Sequence, residues 1–194
     1  MACDAAVREV FSLYEQYGKS SYIGEKVTQE QHALQAAHLA QKEGFPAQVV
    51  LGALLHDVGH LVGLRGRSRP MVTDGLVLGT PRHEVVGEEY LKGLGFPEEV
   101  TIFVRNHVEA KRYLVATDPK YYEGLSEASR HTLTHQGGPM KEEEVLSFKT
   151  NPNFHAVLRM RSWDEKAKDP EAHTPALEEY ENLCLTYLKE AMKA

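Results

Sequence analysis

Apolar residues recur along most of the chain at the three- and four-residue spacing of helices that bury one face. Near the N-terminus, residues 4–17 place Val7, Val10, Phe11 and Tyr14 on such a face. We recognise no pair of alternating apolar and polar segments joined by a hairpin turn, and no internal repeat. The pattern therefore predicts an all-α protein.

Capping residues and helix breakers separate the predicted helices. Thr28 and Gln31 have the spacing of a capping box, which predicts the start of a helix. Gly44 and Pro46 mark the end of that helix and the start of the next one. Residues 47–60 are almost wholly apolar up to Leu55, so they are predicted to form a central buried helix. Further helices are predicted over residues 81–93, 97–113, 126–134, 141–147, 154–166 and 175–193.

Two segments lack the helical spacing and are predicted to be loops. Residues 61–80 combine several glycines, a proline and the charged residues Arg65, Arg67 and Arg69, a composition typical of a long surface loop. In a compact domain such a loop is often functional, for example as a lid. Residues 22–25 form a shorter loop just ahead of the capping box.

Composition and charge narrow the class of protein. The chain has 194 residues, of which 42% are hydrophobic and 26% charged, as in a globular protein with one domain over residues 1–194. We find no apolar run of about 18 residues, which a membrane span needs, and no secretory signal. The net charge of -6 argues against a nucleic-acid partner, but not against a small anion in a local basic pocket.

The few cysteines argue against disulfides and cysteine metal sites, whereas the many histidines suggest that another kind of metal site is possible. Cys3 and Cys184 lie at opposite ends of the chain, so they provide neither a disulfide framework nor a cysteine metal site. A reducing cytoplasm is therefore the expected location. Histidine is frequent, with ten residues, and it is the commonest metal ligand in proteins.

The dipeptide His56-Asp57 directly follows the apolar residues 49–55. Polar groups at the end of a buried helix need partners, because an unpaired buried group costs free energy. A metal ion would satisfy both side chains at once. For a dipeptide alone, a surface or capping pair would be the better interpretation.

The other candidate ligands change that interpretation. In chain order they have the pattern H…HD…H…H…D, which resembles the HD-domain superfamily. The resemblance implies a helical bundle with a dinuclear metal centre, in which Asp57 bridges two metal ions. This set of imidazoles and carboxylates suits iron, manganese or zinc better than magnesium. The implied ligands are His32, His56, Asp57, His83, His107 and Asp164.

Several stretches over nearly the whole chain resemble the PhnZ-type phosphonate oxygenases, relatives of inositol oxygenase. They include residues 22–25, 54–60, 107–114 and 161–166. The resemblance implies two iron ions (Fe2+ and Fe3+) that use O2 to cleave the C–P bond of a small phosphonate. The implied substrate is of the (R)-1-hydroxy-2-aminoethylphosphonate type, with a free or trimethylated amine. The implied products are phosphate and glycine or glycine betaine.

Two other functions remain open at this point. Most HD proteins are phosphohydrolases, so hydrolysis of a small phosphate ester is the alternative reaction. A non-catalytic HD module is the weakest hypothesis, because degenerate modules lose ligands and this chain keeps the whole set.

Two cations are spaced to face the metal centre. Lys111 lies four residues after His107, and Arg161 lies three residues before Asp164, so on helices each shares a face with its ligand. We expect both to bind the substrate's phosphonate group. Ser129, near the start of a helix, could add its hydroxyl and helix-end amides.

Three more residues are assigned to both catalysis and substrate binding. His60 lies one turn after His56 and is predicted to contact substrate or a ligand rather than to be a seventh ligand. Spacing alone favours a packed Tyr22 and a solvated Glu25 in the loop of residues 22–25. The resemblance implies instead that Tyr22 closes a metal position until substrate arrives and that Glu25 meets the substrate's amine.

Overall fold

The computed structural model describes residues 2–191 and 193 and confirms the all-α class over that range. Its helices are α1 (Ala2–Tyr17), α2 (Gln29–Lys42), α3 (Ala47–Leu55), α4 (Val58–Arg65), α5 (His83–Gly93), α6 (Glu98–Thr117), α7 (Pro119–Gly124), α8 (Glu127–His135), α9 (Glu142–Phe148), α10 (Phe154–Lys166) and α11 (Leu177–Ala191). A short hairpin of β1 (Val72–Thr73) and β2 (Leu76–Val77) lies between α4 and α5.

Helix α3 lies at the centre of the bundle. Every residue from Val49 to Leu55 is buried, as its apolar composition predicts. It packs against α2, α6, α10 and α11. The capping box at Thr28 is formed as predicted, with Thr28 and Gln31 exchanging side chain to backbone hydrogen bonds. The core therefore holds the helices that carry the candidate ligands in fixed positions.

The predicted continuous helix over residues 47–60 is wrong at one point. The chain breaks between α3 and α4 at His56 and Asp57, where Asp57 has φ -103° and ψ 11°, and the two helices bend by 42°. Adjacent residues on an unbroken helix point about 100° apart. The break therefore allows two neighbouring polar side chains to face the same interior.

Helix α4 continues to Arg65, so the start of the loop predicted over residues 61–80 is helical. It packs closely on α5, and a Cβ atom added to Gly59 would lie 1.9 Å from the backbone oxygen of His83. Glycine is thus required where α4 passes the first residue of α5. This close approach brings His83 next to the break between α3 and α4.

The expectation that no hairpin exists is also wrong, within the same segment. Val72 pairs with Val77 and Thr73 with Leu76, and the turn residues Asp74 and Gly75 both have positive φ. Such Asp-Gly turns favour two-residue hairpins. The strands are two residues long, which is too short for an alternating pattern to be visible. The dipeptide Asp74-Gly75 was therefore the one sequence signal for this hairpin.

Other differences concern helix ends. Helix α7 was not predicted, although Asp118 caps it and Pro119 is its first residue. Helix α11 begins at Leu177 rather than at residue 175, and the predicted end of that helix includes Met192, which lies outside the described residues. No single helix of the described chain is long and apolar enough to cross a membrane; α3 and α4 together reach that length and hydropathy, but they are bent and mostly buried in the core.

Candidate metal centre and substrate pocket

Four helices and the α3–α4 break bring all six candidate ligands together in the interior. His32 comes from α2, His83 from the first turn of α5, His107 from α6 and Asp164 from α10. His56 and Asp57 come from the break. Every one of the six is buried, and they form two clusters of three, His32 with His56 and Asp164, and Asp57 with His83 and His107.

The first cluster has the dimensions of a coordination shell. The Nε2 atoms of His32 and His56 lie 3.1 Å apart. Asp164 Oδ1 lies 3.4 Å from His32 Nε2 and 3.8 Å from His56 Nε2. Ligand atoms about 2.0–2.2 Å from one metal ion lie roughly 3.0–3.5 Å from each other. One metal ion therefore fits between these three side chains.

The second cluster has similar dimensions and shares Asp57 with the first. His83 Nε2 lies 2.9 Å from His107 Nε2, and these two atoms are 3.2 and 3.3 Å from Asp57 Oδ1. The other oxygen, Asp57 Oδ2, is 3.4 and 3.2 Å from the Nε2 atoms of His32 and His56. One carboxylate therefore faces both clusters, as a bridging ligand does.

The protons of the imidazoles show why these sites suit a cation. In three of the imidazoles the Nδ1–H donates to a backbone carbonyl oxygen at 2.7–2.8 Å. His32 donates to Ala167, His56 donates to Ala53, and His107 donates to Val104. A carbonyl can only accept, so the Nε2 atom of each neutral ring carries a lone pair. In the first cluster the lone pairs of neutral His32 and His56 face each other at 3.1 Å, which is repulsive without a cation between them.

The electrostatics of the centre favour negative carboxylates. Burial raises the pKa of Asp57, but the charge of His56 and hydrogen bonds from His107 and His32 hold it well below its usual range. Burial lowers the pKa of His32, yet the carboxylates of Asp164 and Asp57 outweigh it and raise the value to about 9, so a proton on Nε2 competes with a metal ion for this position. The donor set thus attracts positive charge, and together with its nitrogen and oxygen atoms it fits a pair of first-row metal ions.

His60 has the opposite tautomer from three of the candidate ligand histidines, His32, His56 and His107. The backbone N–H of Thr80 donates to His60 Nδ1 at 3.0 Å, so in the neutral ring the proton is on Nε2. Burial and the charge of His83 hold the pKa of His60 well below its usual value. A Cβ atom added to Gly79 would lie 2.5 Å from His60 Nδ1, so glycine is what lets the backbone come this close. His60 therefore presents an N–H donor, not a lone pair.

Tyr22 covers the first cluster. Its hydroxyl donates to Asp57 Oδ2 at 2.8 Å, and its ring stacks on the imidazole of His32 with centroids 3.8 Å apart. Burial and the charge of Asp57 raise the pKa of Tyr22 well above its usual value. The phenol thus stays protonated and lies where a ligand of the first metal ion would approach.

Lys111 is a buried cation beside the second cluster. Its Nζ donates to Thr132 Oγ1 at 2.9 Å and to the carbonyl of Ser129 at 3.4 Å. Burial and the charge of Arg161 lower the pKa of Lys111 to about 7. Lys111 is therefore poised to gain a full charge when an anion enters.

Arg161 uses two of its three nitrogen atoms to bind other side chains of the protein. Its Nη1 donates to Asp164 Oδ2, and its Nε donates to Glu165 Oε1 at 2.9 Å and to the Tyr121 hydroxyl at 3.0 Å. Nη2 makes no hydrogen bond to the described residues, so it is the group left for a ligand. Arg161 therefore positions a metal ligand as well as adding charge to the pocket.

Ser129 and Glu25 are both linked to Lys168, which the sequence analysis missed. The Ser129 amide already donates to Ser126 Oγ at 3.3 Å, so its hydroxyl is the group open to the pocket. Lys168 Nζ donates to Glu25 Oε1 at 2.9 Å and lies 3.5 Å from Ser129 Oγ. Lys168 follows Asp164 by four residues, the same spacing that pointed to Lys111.

One pocket contains all six predicted substrate residues. It has a free volume of about 40 Å³. Sequence reasoning missed Thr132 and Gln136 in its wall. Gln136 Oε1 is buried and makes no hydrogen bond to the described residues, a sign of a missing partner. The predicted residues in the wall are Tyr22, Glu25, His60, Lys111, Ser129 and Arg161.

Comparisons with known proteins agree with this geometry. The family model of the HD domain matches residues 30–174. The chain is 41% identical, over 87% of its length and 83% of the relative's, to the [1-hydroxy-2-(trimethylamino)ethyl]phosphonate dioxygenase (glycine-betaine-forming) of Leisingera caerulea. It is 38% identical, over 90% of its length and 84% of the relative's, to the hydroxymethylphosphonate dioxygenase of Gimesia maris.

An uncharacterized protein of Acanthamoeba polyphaga mimivirus is 40% identical over 95% of the chain and 83% of its own length. The chain therefore belongs to the HD-domain family, in the branch that contains these phosphonate dioxygenases. The relatives and the paired clusters support a metal-dependent enzyme of the oxygenase class.

Proposed function

We propose that the protein uses O2 to cleave the C–P bond of a small 1-hydroxyphosphonate that carries an amine on C2. The substrate is of the (R)-1-hydroxy-2-aminoethylphosphonate type, with a free or trimethylated amine, and the products are phosphate and glycine or glycine betaine. The observation that carries the proposal is a buried pair of clusters, sharing Asp57, at the end of a pocket lined by Lys111, Arg161 and Lys168.

The cofactor we propose is a pair of iron ions, Fe2+ and Fe3+. The first ion would be held by His32, His56 and Asp164 and the second by His83 and His107, with Asp57 between them. Such a pair, when bound, supplies one-electron chemistry with O2 that zinc or magnesium cannot supply. The names of the two dioxygenase relatives support this choice over a hydrolytic metal.

The cations of the pocket have distinct tasks in this proposal. Lys111 binds a phosphonate oxygen and becomes fully protonated as the dianion enters, because the added negative charge raises its pKa. Arg161 holds Asp164 by Nη1 and offers its free Nη2 to the same phosphonate. The Ser129 hydroxyl supplies a neutral donor nearby.

His60 orients the substrate through the proton on Nε2. That nitrogen lies 3.9 Å from Asp57 Oδ1, on the pocket side of the second cluster. Because Thr80 holds Nδ1 as an acceptor, the ring donates to an oxygen of the substrate without competing for a metal. We propose that this oxygen belongs to the C1 hydroxyl or to the phosphonate.

Tyr22 and Glu25 control entry. Tyr22 excludes water and O2 from the first cluster as long as its hydroxyl is bonded to Asp57. Glu25 lies three residues away in the same loop and receives the substrate's cation. Binding at Glu25 shifts the loop only if it is stronger when the loop is open.

Oxidation is the chemically sensible route to this bond cleavage. Hydrolysis of a C–P bond would expel a carbanion, whereas a phosphate ester expels a far better oxygen leaving group. In the proposed reaction one O2 is consumed, C1 becomes a carboxylate carbon and phosphorus leaves as phosphate, so atoms and electrons balance. A phosphohydrolase acting on a small phosphate ester is the alternative.

The test is an assay of purified, iron-loaded protein. Phosphate release from both hydroxyphosphonates is followed with and without O2, together with O2 consumption. We expect phosphate release that requires O2, with one O2 consumed per phosphate. Release of phosphate from simple phosphate esters without O2, and none from the phosphonates, would establish the hydrolase instead.

We also propose that the whole chain forms one domain. The HD model matches residues 30–174, which leaves α1 and α11 outside it. Both helices nevertheless pack on the matched segment, α1 on α4 and α11 on α3. Of residues 1–194, Met1, Met192 and Ala194 lie outside the residues that the structure describes.

A further inference from the structure

An ammonium group of the protein itself already occupies the end of the pocket that faces Glu25. Lys168 Nζ donates to Glu25 Oε1 at 2.9 Å and to Ser126 Oγ at 3.2 Å, and lies 3.5 Å from Ser129 Oγ. The side chains of Lys168 and Glu25 are only 16% and 17% exposed. We call the three oxygens around this nitrogen, from Glu25, Ser126 and Ser129, the ammonium cradle.

We propose that Lys168 holds the place of the substrate's amine in the resting protein, and that the substrate carries a primary ammonium rather than a trimethylammonio group. This inference rests on the proposed function and chooses between its two substrates. In it, the substrate's ammonium replaces Lys168 Nζ in the ammonium cradle, and the lysine side chain turns out of the pocket. Lys168 is thereby a specificity-determining residue.

The number of donors and acceptors favours a primary ammonium. A lysine ammonium has three N–H donors and no acceptor, and a primary ammonium on C2 of the substrate has the same three donors. The ammonium cradle offers three oxygens, so the exchange replaces each hydrogen bond with an equivalent one. A trimethylammonio group has no N–H, so displacing Lys168 would leave the Glu25 carboxylate and the Ser129 hydroxyl without this donor, while Ser126 Oγ would keep only the Ser129 amide.

The walls of the pocket favour the same choice. Quaternary ammonium groups are usually recognised by the faces of several aromatic rings. Among the described residues that line this pocket, Tyr22 is the one tyrosine, tryptophan or phenylalanine, and one face of its ring lies on His32.

The proposal is tested by equilibrium binding to the metal-loaded protein without O2. The probes are 2-aminoethylphosphonate, its N-trimethyl analogue and methylphosphonate, which lack the C1 hydroxyl of the proposed reaction. We expect the primary amine to bind at least about tenfold more tightly than the trimethylated one, a difference typical of a lost charge-assisted hydrogen bond. Equal affinity, or tighter binding of the trimethylated probe, would overturn the proposal.

Lys168→Met removes the competing ammonium while keeping a side chain of similar length. This change should tighten 2-aminoethylphosphonate binding by about tenfold, because no lysine has to be displaced, and should not tighten methylphosphonate binding. Lys166→Met is the matched control, since Lys166 is an exposed lysine two residues away, and it should change neither affinity. A Lys168→Met protein that binds the primary amine no better than the wild type would contradict the exchange.

A second measurement follows the lysine itself. Acetic anhydride labels accessible lysines, and mass spectrometry reports the labelling of Lys168 relative to the exposed Lys166, a ratio that corrects for reagent consumed by the amine probe. We expect 2-aminoethylphosphonate to increase labelling of Lys168 in the wild-type protein, whereas methylphosphonate should not. Labelling that stays unchanged while the primary amine is bound would show that Lys168 remains in the cradle.

These outcomes are separate from those of the proposed function. If neither hydroxyphosphonate releases phosphate with O2 but the primary amine still binds more tightly than its trimethylated analogue, the proposed reaction is wrong and the inference about the ammonium cradle is supported. If the trimethylammonio substrate is turned over more efficiently than the primary amine, the reaction stands and the inference about Lys168 is wrong.

Discussion

The metal half and the substrate half of the site are built from different kinds of contacts. In the metal half, buried helices and the α3–α4 break carry the candidate ligands, and backbone carbonyls orient three of the imidazoles. In the substrate half, loops carry Tyr22, Glu25 and Lys168, and side-chain hydrogen bonds hold them. Backbone contacts within packed helices are not easily exchanged, whereas an ion pair can be replaced by a ligand of the same charge.

This comparison suggests that the metal half is preorganised and the substrate half is replaceable. Substitutions in the first should abolish metal binding or destabilise the fold. Substitutions in the second should change affinity and selectivity while the metals stay bound.

Asp57→Ala should remove most of both metal ions, because each carboxylate oxygen faces a different cluster. Elemental analysis should find about two metals per chain in the wild type and far less in the variant. His60→Ala is the matched control, since its tautomer has no lone pair for a metal, and it should keep both ions. Loss of metal in His60→Ala but not in Asp57→Ala would show that His60, and not Asp57, binds the metal ions.

Arg161→Ala should destabilise the fold and weaken metal binding at the first cluster. Removing one partner of a buried ion pair costs about 3–5 kcal/mol, and Arg161 holds the ligand Asp164. Chemical unfolding would measure the loss. Arg159→Ala, on the same helix, breaks an exposed pair with Glu43 and should cost about 1 kcal/mol or less. Similar losses in both variants would show that Arg161 has no special role.

Lys111→Met should weaken phosphonate binding by roughly tenfold or more, with both metals retained. The wild-type pKa near 7 also predicts a pH dependence. As the pH rises through 7 the free lysine loses its proton, so phosphonate affinity should fall; below 7 it should stay high. Binding measured from pH 6 to 9 should show this fall in the wild type and not in Lys111→Met. The same fall in both proteins would assign it to another group.

Tyr22→Phe should have the smallest effect on turnover, because it removes one hydrogen bond worth about 1 kcal/mol and no ligand. The variant should nevertheless lose its reduced-iron signal faster than the wild type in O2 without substrate. Electron paramagnetic resonance measures that decay. Equal decay in the two proteins would show that Tyr22 is a packed loop residue and not a gate.

Helix positions and the set of candidate metal ligands could be predicted because they depend on local spacing and chain order. The apolar segment of α3, the capping box at Thr28 and the order of the ligands are all visible in the sequence. The hairpin at Asp74 and Gly75 and the short helix α7 were missed, because very short elements contain no periodicity to recognise.

The sequence by itself determined which side chains are the candidate metal ligands, and only the tertiary structure decided how they group into two clusters. The two oxygens of Asp57 face different clusters because the bundle packs α2 and α10 on one side of it and α5 and α6 on the other. The tautomer of His60 depends on Thr80, twenty residues away. The ion pair of Glu25 and Lys168 joins residues separated by 143 positions. Periodicity is a local property of the backbone, whereas pairing between distant charges arises only when the packed helices bring them together.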